Sequence, residues 1–388
     1  MNPATAAPDA LREATVHQPA AQAALFAALG APRHAYLFAG PPGSGKRAAA
    51  RAFAAELLAA GAADPEDARR RALADPSPHP DLVWLAPQGT QHLVDEVRER
   101  VIVAAAYRPF EGARRVFVIE GAEALADEAQ NALLKTLEEP APFVHLVLIT
   151  SEPAAVLETV RSRCQAVRFA PLGVEAVVAR LSELELGADD EERRAGALLA
   201  GGDADRAAFL LGGQGRELRA GAQACVQAAL SDELADAPWR ALLAVAEAAG
   251  SQAGEAARAH LEALAADGGE GDGRRVRRRS REAEEATRRA ARRVRTETLD
   301  LALALVAAWL RDLAALAEGA EHLALNADRI EELRAVPGMA AGGLDARRAR
   351  AGAELVMDTR RRLDVNVGEE LALEALVFRL ESLLLRDA

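Results

Sequence analysis

Gly40-Pro41-Pro42-Gly43-Ser44-Gly45-Lys46 is a glycine-rich run closed by a lysine. At this spacing, backbone N–H groups converge on phosphate oxygens at the positive end of a helix. The lysine neutralises the outer phosphates, and a Ser or Thr directly after it ligates Mg2+. Here the next residue is Arg47. Arginine offers a metal no lone pair and brings a fixed positive charge. Two unit charges ~4 Å apart at an effective dielectric of ~20 repel by about 4 kcal/mol. Gly40, Gly43, Ser44, Gly45 and Lys46 thus form a phosphate cradle, while Arg47 removes part of the machinery for cleaving a nucleotide. ATP or ADP binding stays open, and no cofactor is required.

A second signal lies further on. Val116-Phe117-Val118-Ile119 carries Glu120-Gly121 to a strand's carboxyl end, where P-loop ATPases place an acid for the hydrated metal and often a glutamate that polarises water. Glu120 is either a vestigial metal ligand or an ordinary acid at a strand end. Gly121 cannot activate water. Glu123 is expected to start a helix and point elsewhere. Arg47 and Gly121 together remove two parts that phosphoryl transfer needs, so hydrolysis by this chain is not expected. Glu138 and Glu139 only superficially resemble an acid/base pair. Adjacent helical side chains diverge by about 100°, which favours a helix-end role before Pro140. Cys164 reads as packing, since no Cys–His nucleophile surrounds it.

These residues need a strand-turn-helix frame, and the pattern supplies one. His34 to Ala39 reads as an apolar strand, and Arg47 to Ala60 as a helix with Ala49, Phe53 and Leu57 on its inner face. Further strands are expected over Asp81–Leu85, Val116–Ile119, His145–Thr150 and Ala166–Phe169, the alternation of a parallel sheet covered by helices. Strand signals stop at Gly173. The expected fold is an α/β P-loop domain over 1–172, a small helical lid over 173–215 and an all-α oligomerisation domain over 216–388. A glycine-rich loop near 267–273 interrupts the last part. Leu373, Leu376, Val377 and Leu380 mark an amphipathic final helix.

Composition narrows the class. The 388 residues suffice for two or three domains, 50% are hydrophobic and only 4% aromatic, which favours helices. A net charge of −12 argues against indiscriminate coating of nucleic acid. Two distant cysteines, Cys164 and Cys225, exclude a disulfide framework and suit a reducing compartment. Residues 1–10 lack a signal pattern, and the longest apolar run, Leu301 to Leu310, is too short for a bilayer. The expectation is a cytoplasmic protein.

Asn131-Ala132-Leu133-Leu134-Lys135-Thr136-Leu137-Glu138-Glu139-Pro140, Leu148-Ile149-Thr150-Ser151 and Arg161-Ser162-Arg163-Cys164 together resemble the AAA+ subunits of bacterial DNA polymerase III clamp loaders. The resemblance runs from Ala35 to about Phe169 and resumes near Leu371 to Leu376. It implies an AAA+ domain, lid and collar in a ring segment that places a sliding clamp on primed DNA. It also implies gamma/tau and delta subunits as partners, with no membrane. The gamma/tau ATPases carry Thr or Ser at position 47 and an acidic pair at 120 and 121, so this chain resembles a bracing subunit that does not hydrolyse ATP. Arg163 would then be a trans-acting arginine for the neighbour's ATP site, the alternative being a salt bridge within its own domain. Thr150 matches the sensor-1 position. Arg206 matches sensor 2 or is a solvated helix arginine.

The family's four-cysteine zinc module falls at 62–79, where this chain has no cysteine; His79 and His92 are too few and too separated to replace it. Zinc is therefore not expected, and Asp64 to Leu73 reads as a short acidic-then-basic helix. Arg274 to Arg295 holds eleven arginines against Glu282, Glu284 and Glu285, without interleaved aromatics. A solvated helix paired to acids is favoured over a DNA-contacting one. Two rivals to the bracing reading remain. One is an active gamma/tau-like ATPase using Glu120 as metal ligand, and the other is a DNA-binding adaptor working through Arg274 to Arg295.

Overall fold

The computed structural model describes residues 9–87, 92, 94–231, 233–266, 273–336, 345–363 and 368–385. Two compact units divide the chain, Met1–Leu172 and Gly173–Ala388. The first begins with α1 (Asp9–Ala14) and α2 (Pro19–Gly30). A five-stranded parallel sheet follows: β1 (Ala35–Ala39), β2 (Leu82–Leu85), β3 (Arg115–Glu120), β4 (Val144–Thr150) and β5 (Gln165–Arg168), in the order β2-β3-β4-β1-β5. All five strands overlap the segments that alternation selected; β1 and β2 lie within them, while β3, β4 and β5 begin one residue earlier, and the parallel sheet flanked by helices is as expected.

Period-2 alternation builds both faces of the sheet. Tyr36, Phe38, Val116, Val118, Val147 and Ile149 face α3 (Lys46–Ala59), while Leu37, Phe117, Ile119, Leu146 and Leu148 face α6 (Asp127–Glu138) and its neighbours. Phe53 on α3 is fully buried and meets the Tyr36 ring edge-on at 4.9 Å. Burying such a ring stabilises the fold by about 1.5–3 kcal/mol. The inner face of α3 is wider than Ala49, Phe53 and Leu57; Ala50, Ala52, Ala54, Ala55 and Leu58 are buried too. The cause is α4 (Pro65–Leu73), which covers the side of α3 away from the sheet.

α4 occupies the segment where the zinc module was looked for. Asp64 Oδ1 accepts from the N–H groups of Glu66 and Asp67, both at 3.1 Å. Glu66 and Asp67 sit in its first turn and Arg70 and Arg71 in its last, complementing the helix dipole. Arg69 pairs with Glu56 at 2.8 Å and Arg71 with Glu111 at 2.5 Å, so ion pairs fix this helix to its surroundings. Among the described residues no group of three or more His, Cys, Asp or Glu could hold an ion.

The first unit continues with α5 (Val94–Val97), which runs on as a π-turn through Arg98–Val103, and closes with α7 (Glu158–Arg161). The second unit is helical among its described residues. It comprises α8 (Val174–Ser182), α9 (Asp190–Ala200), α10 (Ala204–Leu211), α11 (Gly213–Ser231), α12 (Trp239–Ala266), α13 (Gly273–Ala317), α14 (Ile330–Arg334), α15 (Ala346–Leu363) and α16 (Glu369–Leu384). Leu373, Leu376, Val377 and Leu380 of α16 join its core with Trp309 and Leu310 of α13. Residues 267–272 of the glycine-rich loop lie outside the described residues. No described helix is long and apolar enough to cross a membrane.

Candidate functional site

Gly40 to Gly45 turn from β1 into α3, with Gly43 and Gly45 at φ 63° and 88°. Gly40 is required by contact. A Cβ there would lie 2.3 Å from the Phe169 carbonyl oxygen and 2.8 Å from the Phe169 Cβ. Gly40→Ala should therefore destabilise the first unit by about 1–3 kcal/mol, read as a lower urea midpoint. Buried Gln18 fixes the loop from behind. Its Nε2 donates to the carbonyls of Ser44 and Ala170 at 3.1 and 2.7 Å, and its Oε1 accepts from the Ala170 N–H at 2.9 Å. Lys46 is 6% exposed and donates to the Gly40 and Pro41 carbonyls at 2.7 and 2.5 Å and to Ser44 Oγ at 3.3 Å. Ser44 Oγ donates to the Pro41 carbonyl at 2.7 Å.

Arg47 opens outward from the first turn of α3 and reaches two acids. Its Nη2 lies 3.1 Å from Asp75 Oδ2, and its Nε lies 3.4 Å from Glu120 Oε2 at the end of β3. Trp84 on β2 donates from Nε1 to the same Glu120 oxygen at 3.1 Å. Arg51, one turn along α3, pairs with Asp75 Oδ1 at 2.9 Å, donates to the Ala74 carbonyl and lies 4.5 Å from the centre of the Trp84 ring. Burial pulls the Arg51 guanidinium below its ordinary pKa, and Asp75 opposes that shift. Asp75, Trp84 and Arg51 escaped the sequence reading. A signal existed: arginines at i and i+4 repel unless they share an acid, so Arg47 and Arg51 demanded one.

The strand ends bring Thr150 and Glu123 together. Thr150 closes β4, pairs in register with Ala39 of β1, and its Oγ1 accepts from the Glu152 N–H at 3.1 Å. Glu123 does not point away as expected. It lies in a 3-10 turn, Ala122–Ala124, and Oε1 accepts from the Ser151 N–H at 3.2 Å. The turn is short because Gly121 precedes it at φ 65°, a left-handed conformation that side-chain-bearing residues resist. A Cβ on Gly121 would also meet Pro87 at 3.2 Å. The backbone thus explains the missing second acid. His92 Nε2 lies 2.7 Å from the Glu120 carbonyl, and burial lowers the His92 pKa.

Arg163 follows α7. Its Nη2 meets Glu138 Oε1 at 2.6 Å, and Nη1 donates to the Thr159 carbonyl at 2.9 Å. Its side chain is 36% exposed, so one edge of the guanidinium faces solvent. Glu138 ends α6, whose negative pole adds to the attraction. Burial raises the Cys164 thiol to about 12, which leaves it protonated and inert at neutral pH. Arg206 lies in the second unit, on the first turn of α10, 4.0 Å from Asp203. On the described part of the arginine-rich helix, Arg288, Arg289 and Arg293 pair with Glu284, Glu285 and Glu297, and Arg295 with Glu247 and Glu369.

A loop of this geometry, a strand-end acid tied to the loop helix, and an arginine after α7 invite comparison with known proteins. The family model described as DNA polymerase III, delta subunit, matches residues 21–173. The DNA polymerase III subunit delta′ of Pseudomonas aeruginosa is 42% identical over 140 residues, 34% of this chain and 41% of that one. The N-terminal unit is similar to delta′ subunits over this stretch. The delta′ subunit of Bacillus subtilis is 34% identical over 155 residues, covering 39% of this chain and 47% of its own. The tau subunit of the same organism is 33% identical over 153 residues, covering 39% and 27%. The chain spans less than half the length of these curated relatives. The first unit is thus similar to delta′ and to tau subunits alike.

Proposed function

We propose that this chain is a bracing subunit of a DNA polymerase III clamp loader that hydrolyses no ATP itself. It lends Arg163 to the ATP site of a neighbouring gamma/tau-type subunit while the sliding clamp is placed on primed DNA. The observation that carries this reading is the Arg47–Glu120 ion pair. Hydrolysis needs a hydroxyl and a free acid around the metal. Here the hydroxyl is an arginine, and the acid is held by that arginine and by Trp84. Magnesium does not fit these residues. The cradle itself, Gly40, Gly43, Ser44, Gly45 and Lys46, retains the donors that would hold phosphates, with Thr150 beside it. In this reading 173–215 is the lid and 216–388 the collar through which subunits join.

Arg163 suits the trans role because its present partners are replaceable. Glu138 carries one charge and is itself half exposed. A γ-phosphate carries more charge and presents several oxygens to a planar fork. Catalysis by the neighbour would then exchange one anion for another at the exposed edge.

The purified full chain should turn over no ATP above a buffer control, in a coupled assay with Mg2+. Steady turnover that disappears in Lys46→Ala would instead establish the gamma/tau-like motor. Mixing with purified gamma/tau and delta should give one co-eluting complex on gel filtration; separate elution would refute membership of the loader.

A further inference from the structure

Magnesium in a phosphate loop neutralises charge and joins the loop helix to the strand-end acid. In this chain those two elements are joined directly. Arg47 Nε meets Glu120 Oε2 at 3.4 Å, and Trp84 Nε1 donates to that same oxygen at 3.1 Å. Asp75 takes Arg47 Nη2 at 3.1 Å and Arg51 Nη2 at 2.9 Å. The Trp84 ring lies 5.9 Å from the Arg47 guanidinium and 4.5 Å from that of Arg51. Two cations, Arg47 and Arg51, therefore meet two acids, Glu120 and Asp75. An ion entering here would meet an acid already neutralised and a fixed positive charge where it needs an oxygen.

We propose that Arg47 is a tethered replacement for the magnesium ion, so that this loop takes the phosphates of a nucleoside diphosphate without metal. Lys46 and Arg47 supply the positive charge, and Glu120, Trp84 and Asp75 hold Arg47 in place. The strut also gives α4 a purpose. The segment that precedes β2 delivers Asp75, which aims both arginines across Trp84. This inference goes beyond the bracing role and does not depend on Arg163.

Thermal midpoints of the full chain test it, with ADP in EDTA and ADP in Mg2+ as probes. The wild-type midpoint should rise by about 2 °C or more with ADP in EDTA over the nucleotide-free chain, and magnesium should add nothing further; no rise with ADP overturns the proposal. Arg47→Thr restores the hydroxyl and frees Glu120; its Mg2+–ADP midpoint should exceed the EDTA–ADP one by about 2 °C or more. Arg47→Ala removes the same charge without adding an oxygen and should show no such gain. The last comparison separates a regained metal site from mere loosening of the strut. A magnesium gain in the wild type overturns the proposal, as does an Arg47→Thr response no different from that of Arg47→Ala. The wild-type measurement decides by itself if a variant fails to fold.

Discussion

Arg163→Ala should lower ATP turnover at the neighbouring gamma/tau-type site proposed for it by ~10³–10⁵, the range for trans-acting arginines in phosphoryl transfer. The effect is large because negative charge spreads over the γ-phosphate oxygens in the transition state, inside a site from which water is excluded. A guanidinium placed there makes two parallel hydrogen bonds and carries a charge that never titrates. Arg163→Lys should recover little of the loss. An ammonium keeps the charge but not the fork. The measurement is steady-state ATPase of the reconstituted loader with primed DNA and clamp, each variant matched for assembly by gel filtration. Unchanged turnover in Arg163→Ala would leave the Glu138 pair as the whole role of this residue. Substitution should not disturb the isolated fold much, since an exposed ion pair of this kind contributes ~0–1 kcal/mol. Loss of turnover with an unchanged unfolding midpoint would therefore be a functional loss.

The frame of the site was legible because it is written in short-range patterns. Alternation along Val116 to Ile119 and His145 to Thr150 gave β3 and β4, and the glycine spacing before Lys46 gave the loop between β1 and α3. What stayed hidden depends on partners far along the chain. Arg47 looks like a lost hydroxyl until Asp75, 28 residues on, and Glu120 arrive beside it through sheet order. Trp84 looks like a strand residue until β2 pairs with β3 and sets its indole next to Glu120. Glu123 misled because a helix start was expected where Gly121 imposes a left-handed turn. For Glu138 the helix-end reading was right, and its carboxylate is where Arg163 forms the salt bridge within its own domain that was the alternative reading of that arginine. The arginine-rich stretch was legible as a helix, and the described pairs with Glu247 and Glu369 show distant acids answering Arg295.

Asp328→Ala should destabilise the second unit by about 3–5 kcal/mol, a large part of the 5–15 kcal/mol typical of a folded domain. Asp328 sits in the turn Ala327–Arg329, and both its oxygens accept from Arg219 Nη2, at 2.7 and 2.8 Å. Arg219 on α11 is 2% exposed, and its Nε is buried without a partner. Removing the carboxylate would strand a desolvated cation, which costs far more than the pair contributes. Arg329 next door worsens the outcome. Burial and the Arg219 charge already lower its pKa, and it too would lose Asp328. A hydrophobic double variant, Arg219→Met with Asp328→Leu, removes both charges at similar volume and should come close to neutral. Trp239 and Trp309, both in this unit, report its unfolding in urea by fluorescence, with Trp84 of the first unit's sheet replaced by Phe in every variant to remove its signal. A single variant no worse than the double would show that Arg219 finds water or another anion. The same turn is also gripped from α13, where buried Asp312 accepts from the N–H groups of Leu325 and Asn326 at 2.9 and 2.8 Å. α9 packs on this turn as well, so the early helices of the unit and its long helices share one anchor. The bracing role proposed for this chain would draw on that rigidity, and a buried ion pair supplies direction that an apolar contact would not.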